Sequence, residues 1–305
     1  MTAAITTRNL TKEFGAIRAL DGLDLEIPQG SIFGVIGPNG AGKTTLMRIL
    51  LDVVRPTRGT VSVLGEDPRT GGSALRNRIG YLPGELRLNP KLTGADHLRL
   101  WASLGARPAP ARAHALRLAE TLDVRLGART RTLSKGNKQK LGIIQAFMHS
   151  PQLVILDEPT SGLDPLVQQQ VLGLVHEARD EGATIFLSSH VMSEIEQVAD
   201  TAAVLNRGTL VAVSSMAELR ASATRHVRAI VHSTADDAAT ALRRHGLELD
   251  VVGHGDGEIA ITGLLEGRAK DLVAALAELD LESLIVAEPD LEERVLDMYG
   301  ANGAA

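Results

Sequence analysis

Cysteine is absent from this 305-residue sequence, and its absence excludes several classes of protein. A chain without thiols has no disulfide framework, no cysteine nucleophile, no iron–sulfur cluster and no cysteine-bound zinc. Aromatic residues make up only 2% of the chain, which argues against a stacking surface for single-stranded nucleic acid. The remaining composition, 44% hydrophobic and 23% charged, is that of an ordinary globular protein.

Long apolar runs are missing as well. No stretch reaches the ~18 uninterrupted apolar residues of a membrane-spanning helix. The first residues, MTAAITTRNLTKEF, lack the basic-then-apolar pattern of a secretory signal. The sequence therefore predicts a protein that stays in the cytoplasm and has no spanning helix of its own.

Length and charge together indicate two domains. At about 150 residues per domain, the chain is long enough for two. Residues 1–220 carry 25 basic and 21 acidic side chains, whereas residues 221–305 carry 7 and 16. We therefore expect a first domain over 1–220 and an acidic accessory domain over 221–305. Its negative charge argues against nucleic-acid binding.

Hydrophobic patterning predicts an α/β fold for the first domain. Turn residues at Asp21-Gly22 and Pro28-Gln29-Gly30 predict strands and hairpins near the start of the chain. The compact apolar runs at 31–36, 153–156 and 184–187 predict buried strands. Because such strands alternate with helical segments, the main sheet should be mostly parallel.

The pattern restarts after Arg220. Strand and helix segments there follow the order β-α-β-β-α-β, which is typical of a small ferredoxin-like α+β domain. A short final helix is predicted over Leu291–Tyr299.

The segment after the first buried strand carries the clearest chemistry. It fits the phosphate-loop pattern G-x-x-x-x-G-K-[ST] between a strand and a helix. Its nine residues are Gly37, Pro38, Asn39, Gly40, Ala41, Gly42, Lys43, Thr44 and Thr45. The glycines let backbone N–H groups face phosphate oxygens, Lys43 places a positive charge at the β- and γ-phosphates, and the Thr44 hydroxyl can ligate Mg²⁺.

Two adjacent carboxylates, Asp157 and Glu158, end the second buried strand. In a phosphate-loop ATPase the first carboxylate holds Mg²⁺ and the second can polarise the attacking water. The pair therefore predicts metal binding at Asp157 and catalysis at Glu158.

Four further segments complete a resemblance to a known family. They are the signature-like run Leu133, Ser134, Lys135, Gly136 and Asn137; the D-loop segment ending in Asp164; His190 after Leu187-Ser188-Ser189; and the aromatic Phe14. With the phosphate loop and the Asp-Glu pair, residues 1 to about 215 resemble the ATP-binding subunit of an ABC transporter. Within that family the chain looks most like antibiotic and multidrug exporter ATPases of the daunorubicin-resistance type.

The resemblance implies a specific fold. We expect a phosphate-loop ABC ATPase with an antiparallel β subdomain and a helical subdomain at about 90–150. The ferredoxin-like domain would follow it. Phe14 would stack on adenine, and His190 would act as the switch histidine.

The resemblance also implies cofactors and partners. ATP and Mg²⁺ are the expected cofactors. Two chains would meet head to tail, so that the signature completes the partner's ATP site. A separate transmembrane permease would hold the dimer at the cytoplasmic face of the membrane, and no nucleic acid is expected.

The departure from the family pattern that matters lies in the Q-loop; Lys135 and Asn137, at the third and fifth positions of the signature, also differ from the family residues. The Q-loop glutamine should fall within Tyr81-Leu82-Pro83-Gly84-Glu85, and Gly84 occupies its place. Glycine has no side chain to reach Mg²⁺ or water. Either Glu85 substitutes for the glutamine or a water fills the position.

Two other functions fit parts of the sequence. One alternative is a soluble, non-transport ABC ATPase that acts on ribosomes or DNA. Against it stand the single phosphate loop, the lack of heptads and the acidic C-terminal region. The other is a regulatory nucleotide binder without hydrolysis, and the presence of Glu158 and His190 argues against that.

Overall fold

A computed structural model describes residues 2–221, 225–255, 257–265 and 268–287. The chain divides into two compact units between Met216 and Ala217. The predicted tail helix Leu291–Tyr299 lies outside the described residues. None of the described helices is both long and apolar enough to cross a bilayer.

The first unit alternates strands and helices. In chain order its elements are β1 (Ala3–Phe14), β2 (Ile17–Pro28), β3 (Ile32–Ile36), α1 (Lys43–Leu50), β4 (Arg58–Val63), α2 (Gly72–Arg76), β5 (Ile79–Leu82), α3 (Gly94–Leu104), α4 (Pro108–Thr121), a 3₁₀ helix (Thr130–Thr132), α5 (Lys135–Phe147), β6 (Leu153–Asp157), α6 (Pro165–Asp180), β7 (Thr184–Ser189), α7 (Met192–Val198), β8 (Thr201–Asn206), β9 (Thr209–Ser215) and, across the division, α8 (Met216–Ala221).

Two sheets organise this unit. The larger has the strand order β5-β6-β7-β3-β8-β9, in which only β9 runs antiparallel to its neighbour. Every residue of β3, β6 and β7 is buried, as expected for parallel strands covered on both faces. The smaller sheet is antiparallel, in the order β2-β1-β4. The prediction of an α/β fold with an antiparallel β subdomain is confirmed.

One predicted turn is wrong. Asp21-Gly22 does not end a strand but lies inside β2, and the hairpin reverses after Phe14, which pairs with Ile17. Gly22 has a φ of +64° at an irregularity between the Leu20–Lys12 and Leu23–Leu10 pairs. An Asp-Gly pair supplies positive φ for a bulge as readily as for a turn.

Helices α3, α4 and α5 form the helical part of the unit, within the predicted 90–150. Thr93 and Asp96 cap α3 reciprocally: the Thr93 hydroxyl accepts from the Asp96 N–H, and the Asp96 carboxylate accepts from the Thr93 N–H. Hydrogen bonds from Thr93 lower the pKa of Asp96 to about 2. Ser134 caps α5, the helix that begins with the signature residues.

The second unit is described by itself. It contains β10 (Arg225–His232), α9 (Ala235–Arg244), β11 (Asp250–Gly255), β12 (Glu258–Leu265), α10 (Ala269–Leu276) and β13 (Asp280–Ala287). Its strands form one antiparallel sheet in the order β11-β12-β10-β13. Alternate residues of β10, together with Leu242, Leu272 and Leu276, build a separate hydrophobic core.

Candidate ATP site

The phosphate loop connects β3 to α1 at the carboxyl edge of the larger sheet. Gly42, the N-cap of α1, has a φ of +110° and comes directly before the first residue of that helix, Lys43. A Cβ at Gly42 would lie 2.6 Å from the Ala19 carbonyl oxygen. Only glycine fits both the conformation and the space, and the unpaired N–H groups at the start of α1 suit an anion.

Lys43 is the buried cation of this loop. Its side chain is 6% exposed, and Nζ donates to the carbonyl oxygens of Gly37 at 2.5 Å and Pro38 at 3.3 Å. Burial lowers the pKa of the Lys43 ammonium, while the charges of Glu158 and Asp157 act in the opposite direction. The loop thus folds around its own lysine, which is placed where phosphate oxygens would take over the contacts of the two carbonyls.

Asp157 lies at the end of β6 and is held at both carboxylate oxygens. The Thr44 hydroxyl donates to one oxygen at 2.7 Å, and the Ser188 hydroxyl donates to the other at 2.8 Å. Sequence reasoning paired Thr44 with Asp157 but missed Ser188. Its signal is the parallel register of β6 and β7, which sets Ser188 opposite Asp157.

Glu158 follows directly and adopts an unusual backbone conformation. Its φ is +53°, in the left-handed region that costs a residue with a side chain about 1–2 kcal/mol. Its carboxylate Oε1 lies 3.4 Å from Nδ1 of His190, whose side chain is 52% exposed. The structure therefore brings together Lys43, Thr44, Asp157, Glu158 and His190.

Gly84 packs directly against Asp157. A Cβ at position 84 would lie 3.1 Å from Oδ2 of Asp157 and 3.3 Å from its Cγ. Glu85, the predicted substitute for the missing glutamine, has a side chain that is 80% exposed and lies 3.5 Å from Arg87. In this conformation Glu85 faces solvent and Arg87, so the backbone of Gly84 is what borders the Asp157 carboxylate.

Gly84→Ala is expected to lower ATP turnover about five- to tenfold and to raise the Mg²⁺ concentration needed for half-maximal rate. Overpacking costs about 1–3 kcal/mol, and we expect the lower end because a single methyl group is added. The new methyl group would displace a carboxylate that two hydroxyls fix. Phosphate release at several Mg²⁺ concentrations measures the effect.

Glu85→Ala is the matched control and should leave turnover unchanged. Equal Mg²⁺ dependence in wild type and Gly84→Ala would contradict the role assigned to the close packing of Gly84 against Asp157.

The signature residues make hydrogen bonds at the start of α5, where Ser134 is the N-cap, and not with the phosphate loop of their own chain. The Ser134 hydroxyl oxygen accepts from the backbone and side-chain amides of Asn137, both at 3.2 Å. Among the described residues, no hydrogen bond joins Ser134 or Asn137 to residues 37–45.

Asp164, in the D-loop segment, caps α6 by accepting from the Val167 N–H at 3.1 Å.

Phe14 ends β1 and is 48% exposed, which is unusual for a phenylalanine. The ammonium of Lys12 lies 4.7 Å from its ring centroid. The accessible ring offers a surface on which a flat, electron-rich base could stack.

A second group of ligand-type side chains lies in the other unit. Oxygen and nitrogen atoms of His232, Glu258 and Glu282 lie within 4.8 Å of one another, on neighbouring strands. His232 and Glu282 are both exposed, and Nε2 of His232 lies 3.6 Å from a carboxylate oxygen of Glu282. We assign no metal to this group.

Comparison with known proteins decides the family. Residues 20–161 match the family described as ABC transporter. The chain is 35% identical to the daunorubicin/doxorubicin resistance ATP-binding protein DrrA of Streptomyces peucetius, over 97% of this chain and 91% of that protein. The chain belongs to the ABC transporter ATP-binding proteins. This ABC ATPase is also 32% identical to the bacitracin transport ATP-binding protein BcrA of Bacillus licheniformis, over 98% of each chain.

A solved ATP-binding subunit of an ABC transporter shares the fold. It is 31% identical and superposes with a TM-score of 0.67, covering 72% of this chain and 92% of its own. Membership of the family makes the protein an ATPase coupled to transport. The predicted family and activity are confirmed.

Proposed function

We propose that this ABC ATPase powers export of a drug-like or antibiotic compound through a separate membrane permease. The observation that carries the proposal is the extent of the similarity to DrrA, which includes the second unit as well as the ATPase core. We place the protein at the cytoplasmic face of the membrane, held there by the permease.

Mg²⁺ fits the donor set around Asp157. The Thr44 hydroxyl and the Asp157 carboxylate are hard oxygen ligands, which Mg²⁺ prefers together with water and phosphate oxygens. When held by Thr44 and Asp157, the ion would neutralise negative charge that develops on the phosphates during transfer. Ser188 would keep the Asp157 carboxylate oriented while Thr44 turns from it to the ion.

Each of the remaining site residues would have a separate role. Lys43 would exchange the Gly37 and Pro38 carbonyls for phosphate oxygens. Glu158 would take the proton of the attacking water, and His190 lies beside it to contact the γ-phosphate and orient the carboxylate. Phe14 would stack on adenine.

We infer that the active ATPase is a head-to-tail dimer. Ser134 and Lys135 at the start of α5 are exposed, and the signature makes its own cap rather than joining its own phosphate loop. Across the dimer, the Ser134 hydroxyl and the Gly136 N–H would donate to the γ-phosphate held by the partner. ATP would then join the two chains, and its hydrolysis would release them.

The alternative, a soluble ABC ATPase acting on ribosomes or DNA, finds no support in these features. The acidic second unit would repel a phosphate backbone.

Efflux of daunorubicin and of bacitracin tests the export proposal. The chain would be co-expressed with a candidate multi-span permease, and drug accumulation in cells would be followed. We expect lower accumulation of at least one compound with the wild-type chain and no change with Lys43→Ala. Unchanged accumulation of both, with co-sedimentation of the wild-type chain with ribosomes, would favour the alternative.

A further inference from the structure

A buried glutamine outside the predicted motifs contacts the catalytic segment. Gln139 lies in α5, and its side chain is only 5% exposed. Its amide Nε2 donates to the carbonyl oxygens of Glu158 and Pro159, each at 3.2 Å. A buried amide with both hydrogens directed at two consecutive carbonyls fixes the orientation of that backbone.

The backbone that Gln139 holds is the strained one. Glu158, at a φ of +53°, stays in the left-handed region only because its surroundings impose it. The Glu158 N–H donates to the backbone oxygen and the hydroxyl of Ser188, both at 3.2 Å. The Glu158 peptide is thus held by β7 on its N–H side and by α5 on its carbonyl side.

The first turn of α5 also contacts the loop that follows Glu158. A methyl group at Gly136 would lie 3.2 Å from the Gly162 carbonyl oxygen. A Cβ at Gly162 would lie 3.2–3.5 Å from the outer atoms of the Lys135 side chain. The Lys135 side chain therefore covers Gly162. One helix thus carries the signature at its start and, about one turn further on, Gln139, which holds the Glu158 backbone.

We propose that Gln139 is a positioning residue for Glu158, and that α5 places this carboxylate for reaction when its signature engages ATP on the partner chain. The inference rests on the proposed function in two respects. Glu158 acts as the general base, and the signature acts on the ATP of the partner chain. A helix moves as a unit, so a shift at Ser134 is carried to Gln139. ATP bound in one site would in this way prepare the carboxylate of the other site.

Gln139→Met tests whether the hydrogen bonds from Gln139 position Glu158. Methionine keeps the length and the burial of the side chain but donates no hydrogen bond. We expect kcat to fall on the order of tenfold to a hundredfold with KM for ATP nearly unchanged, because only the placement of a general base is affected. The ATP-bound dimer should accumulate in gel filtration, which a merely destabilised chain would not do.

Two further variants keep the test interpretable. Gln145→Met makes the same exchange on α5 at a half-buried position beside Trp101 and His149, and it should keep wild-type kcat. Gln139→Asn retains the amide one methylene short, and its kcat should fall between those of Gln139→Met and wild type. A loss confined to KM or to the melting temperature, with kcat unchanged, would overturn the proposal.

A double-mutant cycle separates this proposal from the one on which it rests. If Gln139 acts through Glu158, adding Gln139→Met to Glu158→Gln should cause no further loss in single-turnover rate. If the double variant instead loses the product of the two single-variant factors in single-turnover rate, Gln139 acts independently of Glu158, which would contradict the positioning role. Wild-type turnover by Glu158→Gln alone would instead show that Glu158 is not the general base.

Discussion

Lys43→Ala is expected to lower ATP turnover about 10²- to 10⁴-fold. The phosphates would lose their one buried cation, and two hydrogen bonds to a charged group are together worth about 3–6 kcal/mol. Folding should survive, because burying the ammonium is a cost that the alanine variant does not bear, as the lowered pKa of Lys43 indicates. Phosphate release and the ATP-induced rise in melting temperature measure the two effects.

Lys91→Ala is a suitable control, since Lys91 is an exposed lysine before α3. It should keep both the turnover and the thermal shift with ATP. Normal turnover by Lys43→Ala would show that the segment 37–45 is not the phosphate site.

Glu158→Gln is expected to retain ATP binding and lose about 10²- to 10⁴-fold in turnover. The amide keeps the size of the side chain but cannot accept the proton of the attacking water, and general-base catalysis contributes about that factor. The hydrogen bonds that the Glu158 backbone makes with Ser188 and Gln139 do not involve the carboxylate, so the segment should keep its conformation. The variant should collect as an ATP-bound dimer in gel filtration.

Glu181→Gln makes the same exchange at an exposed position after α6 and should leave turnover and monomer content unchanged. A Glu158→Gln chain that hydrolyses ATP at the wild-type rate would remove Glu158 from the chemistry.

The sequence predicts the part of the site that is local in the chain. The nine residues of the phosphate loop and the pair Asp157-Glu158 each form a contiguous motif, and their positions follow from the strand that precedes them. Ser188 and Gln139 are different, because their roles depend on which segments become neighbours after folding. A residue that bonds a distant backbone carbonyl has no pattern in the adjacent sequence to reveal it.

Local turn signals are similarly ambiguous. Asp21-Gly22 has the composition of a hairpin turn, yet the pairing of β1 with β2 continues through it because buried residues such as Leu10, Leu20 and Leu23 fix the register. At Gly84 the sequence reveals the missing side chain, but only the structure shows that the Gly84 backbone packs against the Asp157 carboxylate. The orientation of Glu85 toward Arg87 likewise follows from the folded loop.

In the proposed dimer, each ATP lies between the phosphate loop of one chain and the signature of another. The absence of cysteine makes a direct measurement available. Asn39 and Ser134 are both exposed, so Asn39→Cys and Ser134→Cys can be introduced into separate chains that also carry Glu158→Gln. A disulfide forms when two Cα atoms lie within about 4.4–6.8 Å. We predict a disulfide-linked heterodimer that forms with ATP and Mg²⁺ and not without nucleotide. Cross-linking that is equal with and without ATP, or that joins like chains as efficiently, would contradict the account.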